Sequence, residues 1–217
     1  MGIYLKKNIE KDTILGLWKI EETIDWCISR LQLNENDLKI LNWYNSKHRR
    51  LQRLITQLLL QNMLNHKTKV EIKYDKNGKP SLPDFPYEIS ISHSKIFVAI
   101  LISKTYNIGI DIEQINPKVE RISEKFINSY ELKQFSAGLN KENIEQMHVI
   151  WGAKESLYKL YGKRNLNFKE NLLTEPFDYK QKGVIKARIS TGNKNRQFSL
   201  YYEKIKDYML VYVMGGE

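Results

Sequence analysis

Isoleucines at 108, 110 and 112 alternate with Gly109, Asp111 and Glu113, the period-two signature of a strand with one buried face. Asp111 and Glu113 therefore share the opposite face. Further along, Trp151, Glu155 and Lys159 recur at i, i+4 and i+8 in a segment of strong helix formers without proline, so they lie along one side of a helix, with Lys154 beside that row. The same reasoning predicts helices at Glu35–Tyr44, Ser46–Asn65 and about Glu142–Tyr161, the last stopped by Gly162. Shorter helical segments are expected from Pro117 to about Ser129 and from Tyr130 to Ala137. Strands are expected near Ile3–Leu5, Val70–Tyr74, Ile89–Ser92, Ile96–Ile102, Ile108–Glu113, Val184–Ser190, Gln197–Glu203 and Tyr208–Met214. Turn signals sit at Asp75–Pro80, Thr191-Gly192-Asn193 and Lys206-Asp207. Each half thus reads as a long helix followed by several strands, without a recognisable sequence repeat.

Asp111, Glu113 and Glu155 form an all-oxygen donor set with no cysteine or histidine in either motif. That chemistry favours magnesium or manganese over zinc, and magnesium takes its remaining ligands from water and phosphate. Flanked by Lys154 and Lys159, the set reads as a diphosphate site for phosphoryl-type transfer. The same residues fit plainer roles. Glu155 and Lys159 at i, i+4 suit an ordinary solvated ion pair, and Asp111 with Glu113 suits the polar face of an edge strand.

Between the strands at 89–92 and 96–102, Ser92-His93-Ser94-Lys95 reads as a tight polar corner able to cradle an anion, although a histidine in a turn also serves as a simple hydrogen-bonding residue. Lys79, in the strong turn upstream, is a candidate for the same anion. The segment His48-Arg49-Arg50-Leu51-Gln52-Arg53 opens an amphipathic helix whose basic face is either solvated or available to a phosphate.

Gly78-Lys79-Pro80, Ile91-Ser92-His93-Ser94, Gly109-Ile110-Asp111-Ile112-Glu113 and Trp151-Gly152-Ala153-Lys154-Glu155-Ser156 with Lys159 resemble, in order and spacing, the motif series of the 4'-phosphopantetheinyl transferases, and more narrowly their long, surfactin-synthetase-activating (Sfp-like) type. The resemblance runs from about Arg49 to Leu166. It implies an α+β fold of two similar, pseudo-symmetric halves, 1–105 and 106–217, each a long helix on a small, mostly antiparallel sheet, with coenzyme A in the cleft between them. The implied reaction moves the phosphopantetheine arm of coenzyme A to a serine of an apo acyl or peptidyl carrier protein and releases adenosine 3',5'-bisphosphate. By the same matching, Asp111, Glu113 and Glu155 bind Mg2+ and Glu155 is the candidate base. Lys154 and Lys159 bind phosphates, Ser92 and His93 contact the nucleotide, and Lys79 lies near its end. One departure is that Gln52 and Gln57 stand where the family often has Glu and Arg, so Arg49, Arg50 or Arg53 is expected to take the missing arginine's place. Residues 114–128 are the expected docking segment for the carrier.

Composition adds little that these motifs lack. The 217 residues carry 35 Lys and Arg against 25 Asp and Glu, a formal charge of +10, which points to an acidic partner and, with the resemblance, to steering of an acidic carrier protein. The basic residues are spread over the whole chain, unlike a compact nucleic-acid motif. A single cysteine, Cys27, excludes an internal disulfide framework, and the N-terminus lacks a secretory apolar stretch, so a cytoplasmic monomer without membrane or nucleic-acid partners is expected. Two other readings remain open: an inactive homologue, and a basic anion- or nucleic-acid-binding module. The short type of the family is disfavoured by chain length.

Overall fold

The computed structural model describes residues 2–135, 140–192 and 194–216. They divide into two compact units: 1–75 with 80–105, and 76–79 with 106–217. The fold is α+β, with one antiparallel sheet and one long helix in each unit.

In the first unit β1 (Ile3–Glu10) and β2 (Thr13–Lys19) form a hairpin whose turn residue, Asp12, has φ 58. Three helices follow, α1 (Ile24–Ile28), α2 (Glu35–Trp43) and α3 (Lys47–Leu64), and then β3 (Lys73–Tyr74), β4 (Pro80–Ser81), β5 (Glu88–Ser94) and β6 (Phe97–Ser103). The strand order is β1-β2-β6-β5-β4-β3. α3 starts at Ser46, whose hydroxyl accepts from the Arg49 N–H, and ends at Asn65 in the left-handed conformation. Its apolar face, with Leu54, Ile55, Leu58 and Leu59, packs into a core with Trp18, Val98, Ile100 and Ile102. β2 was not expected from the sequence: Ile14–Trp18 is a continuous apolar run in a strand buried on both faces, so it lacks the alternation that marks a strand. The strand expected at Val70–Tyr74 shortens to two residues, because the Val70 N–H bonds the Gln57 side chain at 3.2 Å instead of a neighbouring strand.

The second unit opens with β7 (Asn107–Gln114), a 3-10 turn at Pro117–Val119, and the short helices α4 (Glu120–Ser123) and α5 (Ser129–Leu132). The single helix expected from Pro117 to Ser129 is therefore broken, since the Asn128 side chain accepts from the Tyr130 and Glu131 N–H groups and starts a new helix there. The expected end of the next helix, near Ala137, lies outside the described residues, as does Asn193 of the expected turn. α6 (Lys141–Tyr161) runs to Gly162, which closes it in the left-handed conformation at φ 67. The strands β8 (Leu172–Thr174), β9 (Lys182–Thr191), β10 (Lys194–Ile205) and β11 (Tyr208–Gly215) complete a sheet in the order β7-β11-β10-β9-β8. Val149, Ala153, Leu157 and Leu160 of α6 cover this sheet over Leu200, Met209 and Val211.

A buried ion pair ties the pieces of this unit together. Lys154 of α6 and Glu131 of α5 are 2.7 Å apart, and both side chains are 0% exposed. The Lys154 ammonium also donates to the Phe126 and Phe168 carbonyls. Glu131 accepts from the Asn128 N–H at 3.0 Å and from the Thr174 N–H and hydroxyl at 2.8 and 2.7 Å. Both charges are thus bonded on every side. Burial holds the Lys154 pKa below the ordinary lysine value, against the pull of Glu131. Lys154→Met strands a buried carboxylate and is expected to cost about 3–5 kcal/mol. Urea denaturation should show the double substitution Lys154→Met/Glu131→Gln to be less destabilised than Lys154→Met alone; equal loss would mean that the pair acts only through packing.

Candidate functional site

β7 and α6 build the site. Asp111 and Glu113 share one face of β7, whose register with β11 sets Asp111 opposite Val211 and Glu113 opposite Met209. α6 lies close against these two strands because two glycines allow it. A Cβ added at Gly109 would stand 1.9 Å from the Ser156 carbonyl oxygen, and one at Gly152 would stand 2.6 Å from Val211 Cγ2 and 3.8 Å from Asp111 Oδ2. The contact at Gly109 is with backbone, which cannot step aside, so glycine is required there.

This close approach brings two of the expected residues, Lys159 and Glu155, to Asp111. The Lys159 ammonium donates to Asp111 Oδ1 at 2.7 Å and to the Ile110 carbonyl at 3.0 Å. Glu155 is half-buried one turn earlier. Its carboxyl is pushed up from an ordinary 4.5 to about 7, chiefly by burial and then by the charge of Asp111, with Lys159 pulling it down and Glu113 adding to the rise. Asp111, Glu113 and Glu155 therefore share one electrostatic environment, with the Lys159 ammonium as counter-charge. Hard carboxylate oxygens in charge excess suit a hard divalent cation. Among the described residues, no group of three or more His, Cys, Asp or Glu side chains is arranged to hold a metal ion as it stands, and the ammonium takes the cationic position beside Asp111.

Lys154 is not brought into this group. One residue of helix turns the chain by about 100°, and its side chain points into the buried pair with Glu131. It is a structural cation, and the phosphate contact expected of it is corrected accordingly. Lys79 belongs to the second unit, where its side-chain stem lies over Gly162 at the end of α6: a Cβ there would meet Lys79 Cδ at 2.6 Å.

In the first unit, a 450 Å3 pocket is lined by Tyr44, Arg49, Gln52, Arg53, Thr56 and His93, among others. Arg49, Arg53 and Thr56 follow one stripe of α3 at spacings of four and three, a signal that the sequence carried and that would have picked out Thr56. The Arg53 guanidinium lies 5.8 Å from the Tyr44 ring centre, and His93 Nε2 is 2.9 Å from the Thr56 hydroxyl. Of the three candidate arginines, Arg49 and Arg53 line the pocket, whereas Arg50 donates to the Tyr44 carbonyl at 2.7 Å. Gln57 also lines it and is bonded to the Val70 N–H. The polar corner at 92–95 is corrected: β5 continues through Ser94 and the turn falls at Lys95-Ile96, so Ser92 is buried on one face while His93 is exposed on the other. Ser92 and His93 thus do not line one cradle.

In the expected docking segment, Val119, Phe126 and Ile127 are buried in a core with Met147 and Ile150. Ile122 is 37% exposed, and Tyr130 and Leu132 beyond it are each 57% exposed. No helix among the described residues is long and apolar enough to cross a membrane.

The chain spans about half the length of the relatives it matches. The 4'-phosphopantetheinyl transferase ffp of Bacillus subtilis is 29% identical over 111 residues, 51% of this chain and 49% of that protein. The 4'-phosphopantetheinyl transferase gsp of Aneurinibacillus migulanus is 30% identical over 110 residues, 51% of this chain and 46% of that one. The 4'-phosphopantetheinyl transferase AcpT of Escherichia coli is 30% identical over 95 residues, 42% of this chain and 49% of that protein. A family model described as the 4'-phosphopantetheinyl transferase superfamily covers residues 107–213, the stretch that holds β7, α6 and the second sheet up to the last two residues of β11. From Asn107 to Val213, this chain is similar to the 4'-phosphopantetheinyl transferase superfamily.

Proposed function

We propose that this protein transfers the 4'-phosphopantetheine arm of coenzyme A to a serine hydroxyl of an apo acyl or peptidyl carrier protein, releasing adenosine 3',5'-bisphosphate. The observation that carries this reading is the meeting of Asp111, Glu155 and Lys159 where α6 crosses β7, with Glu113 in electrostatic reach. In the reaction, the serine oxygen bonds to the phosphorus nearer the pantetheine, and the bond from that phosphorus to the bridging oxygen of the leaving bisphosphate breaks. The serine proton passes to Glu155, directly or through a water.

Asp111, Glu113 and Glu155 are the residues that would hold Mg2+, or Mn2+ in its place. That ion would supply Lewis-acid stabilisation of the charge building on the phosphate oxygens. Lys159 contributes a fixed ammonium at the same place, and a diphosphate oxygen is a natural second partner for it. In the first unit, Arg49, Arg53 and His93 are assigned to the nucleotide phosphate. Residues 114–128 are assigned to carrier docking, with Ile122 as the exposed apolar contact and Lys118 and Arg121 facing an acidic partner. Cys27 is buried, with its thiol pushed up to about 12 mainly by burial, which suits a protein of the reducing cytoplasm.

Mass spectrometry of an apo acyl carrier protein incubated with this chain, coenzyme A and magnesium should show the gain of one phosphopantetheine arm, abolished by chelator. Asp111→Ala and Glu155→Ala should remove transfer while keeping the fold; persistence in either rejects the acid-site assignment. Reversing the charges of Lys118 and Arg121 should raise KM for the carrier and leave KM for coenzyme A unchanged, so parallel changes in steady-state kinetics would count against docking there. Glu155 also makes a prediction about stability. An acid whose folded pKa lies above its ordinary 4.5 stabilises the fold fully below the ordinary value and loses that contribution as pH rises through about 7. In chelator, Glu155→Gln should therefore melt above the wild type at about pH 8 and converge with it below about pH 5. A constant gap across that range would remove the pKa assignment.

A further inference from the structure

α6 is attached to β7 and to the segment just beyond it at three levels. Two have been described: Gly109 against Ser156, and Lys159 on Asp111. The third lies at the opposite end of the stripe formed by His148, Gly152, Glu155 and Lys159, at spacings of four, three and four. His148 is 5% exposed, and its Nε2 accepts from the Asn116 N–H at 2.9 Å. The Asn116 carbonyl, 3.2 Å from the same nitrogen, accepts the Val119 N–H at 3.1 Å.

Asn116 is the residue at which the chain leaves the sheet. Ile115 before it still donates to the Asp207 carbonyl at 2.8 Å. The Asn116 side chain then accepts the Lys118 N–H at 3.0 Å and starts the 3-10 turn. From there on come Lys118, Arg121 and Ile122.

For Nε2 to accept, the imidazole must be neutral with its proton on Nδ1. Burial, the dominant influence on His148, keeps its pKa below the ordinary value, against the Asn116 carbonyl beside Nε2 and the charges of Asp111 and Glu145. That Nδ1 is buried and makes no hydrogen bond among the described residues. A buried donor left without an acceptor costs free energy that a leucine of similar volume would not incur. Packing alone therefore does not account for an imidazole here; the acceptor at Nε2 does.

We propose that His148 is a positioning residue, whose buried Nε2 anchors Asn116 and so sets how residues 117–128 are presented to the carrier protein. The proposal rests on the docking role assigned above. Gly109 and Lys159 hold the acid end of the helix independently, so loss of the His148 contact should act on the carrier and leave the acid site alone. The cost is that of one neutral hydrogen bond, a change of about three- to tenfold.

The test uses the full chain, with apo acyl carrier protein, coenzyme A and magnesium. His148→Leu should raise KM for the carrier about three- to tenfold, with KM for coenzyme A and kcat unchanged. His148→Gln, which keeps an acceptor at a similar reach, should recover most of the loss. Hydrogen exchange at the Asn116 amide should speed up in His148→Leu and slow again in His148→Gln, while the Ile110 and Ile112 amides stay protected in both. Equal changes in both KM values, or no rescue by glutamine, overturn the proposal. A measurement on the unaltered chain guards against a variant that fails to fold: nitrogen-15 NMR of His148 should show a proton on Nδ1 and none on Nε2, and the reverse tautomer overturns the anchor. A wild-type chain that neither transfers to nor binds the carrier defeats the proposed function and this inference together. An active wild type matched by His148→Leu defeats this inference alone.

Discussion

The candidate site depends on the distance between one helix and one strand. At Gly109 the backbone of β7 comes so near the Ser156 carbonyl that any side chain would collide with it. Close-packed interiors transmit such a constraint without loss: with the helix seated there, Lys159 reaches Asp111, and Glu155 comes under the influence of both strand acids. A helix carried further out by side chains at Gly109 and Gly152 would keep the same residues and lose their meeting.

The charges of this unit are dealt out by helical rotation. Lys154 and Glu155 are neighbours in the chain, yet one enters a closed pair with Glu131 while the other faces the strand acids. Lys154 thus serves the site at a distance. By joining α6 to α5 and to the Phe126 and Phe168 carbonyls, it holds these pieces around a helix whose other side presents the candidate site.

Much of this was legible in the sequence where periodicity was strong. The alternation at 108–113 and the uninterrupted helix ending at Gly162 located β7 and α6 to within a residue or so. Weaker signals failed for physical reasons. β2 is apolar on both faces, so nothing alternates. Ser90, Ser92 and Ser94 are all buried on one face of β5, opposite Ile89 and Ile91, and polar residues on a buried face imitate a turn. The fate of Lys154 was hidden because its partner, Glu131, is distant in the chain, and no local pattern reports a tertiary ion pair. The same holds for His148, whose partner is a backbone N–H that any residue would offer.

Lys159 gives the acids a counter-charge of their own. Three carboxylates gathered on one small unit would otherwise oppose its folding by mutual repulsion. The ammonium on Asp111 offsets part of that repulsion without any divalent ion. On the proposed function, loading the site would exchange one cation for another rather than fill a gap. A tethered ammonium, unlike a released ion, stays within reach for whatever anion arrives next.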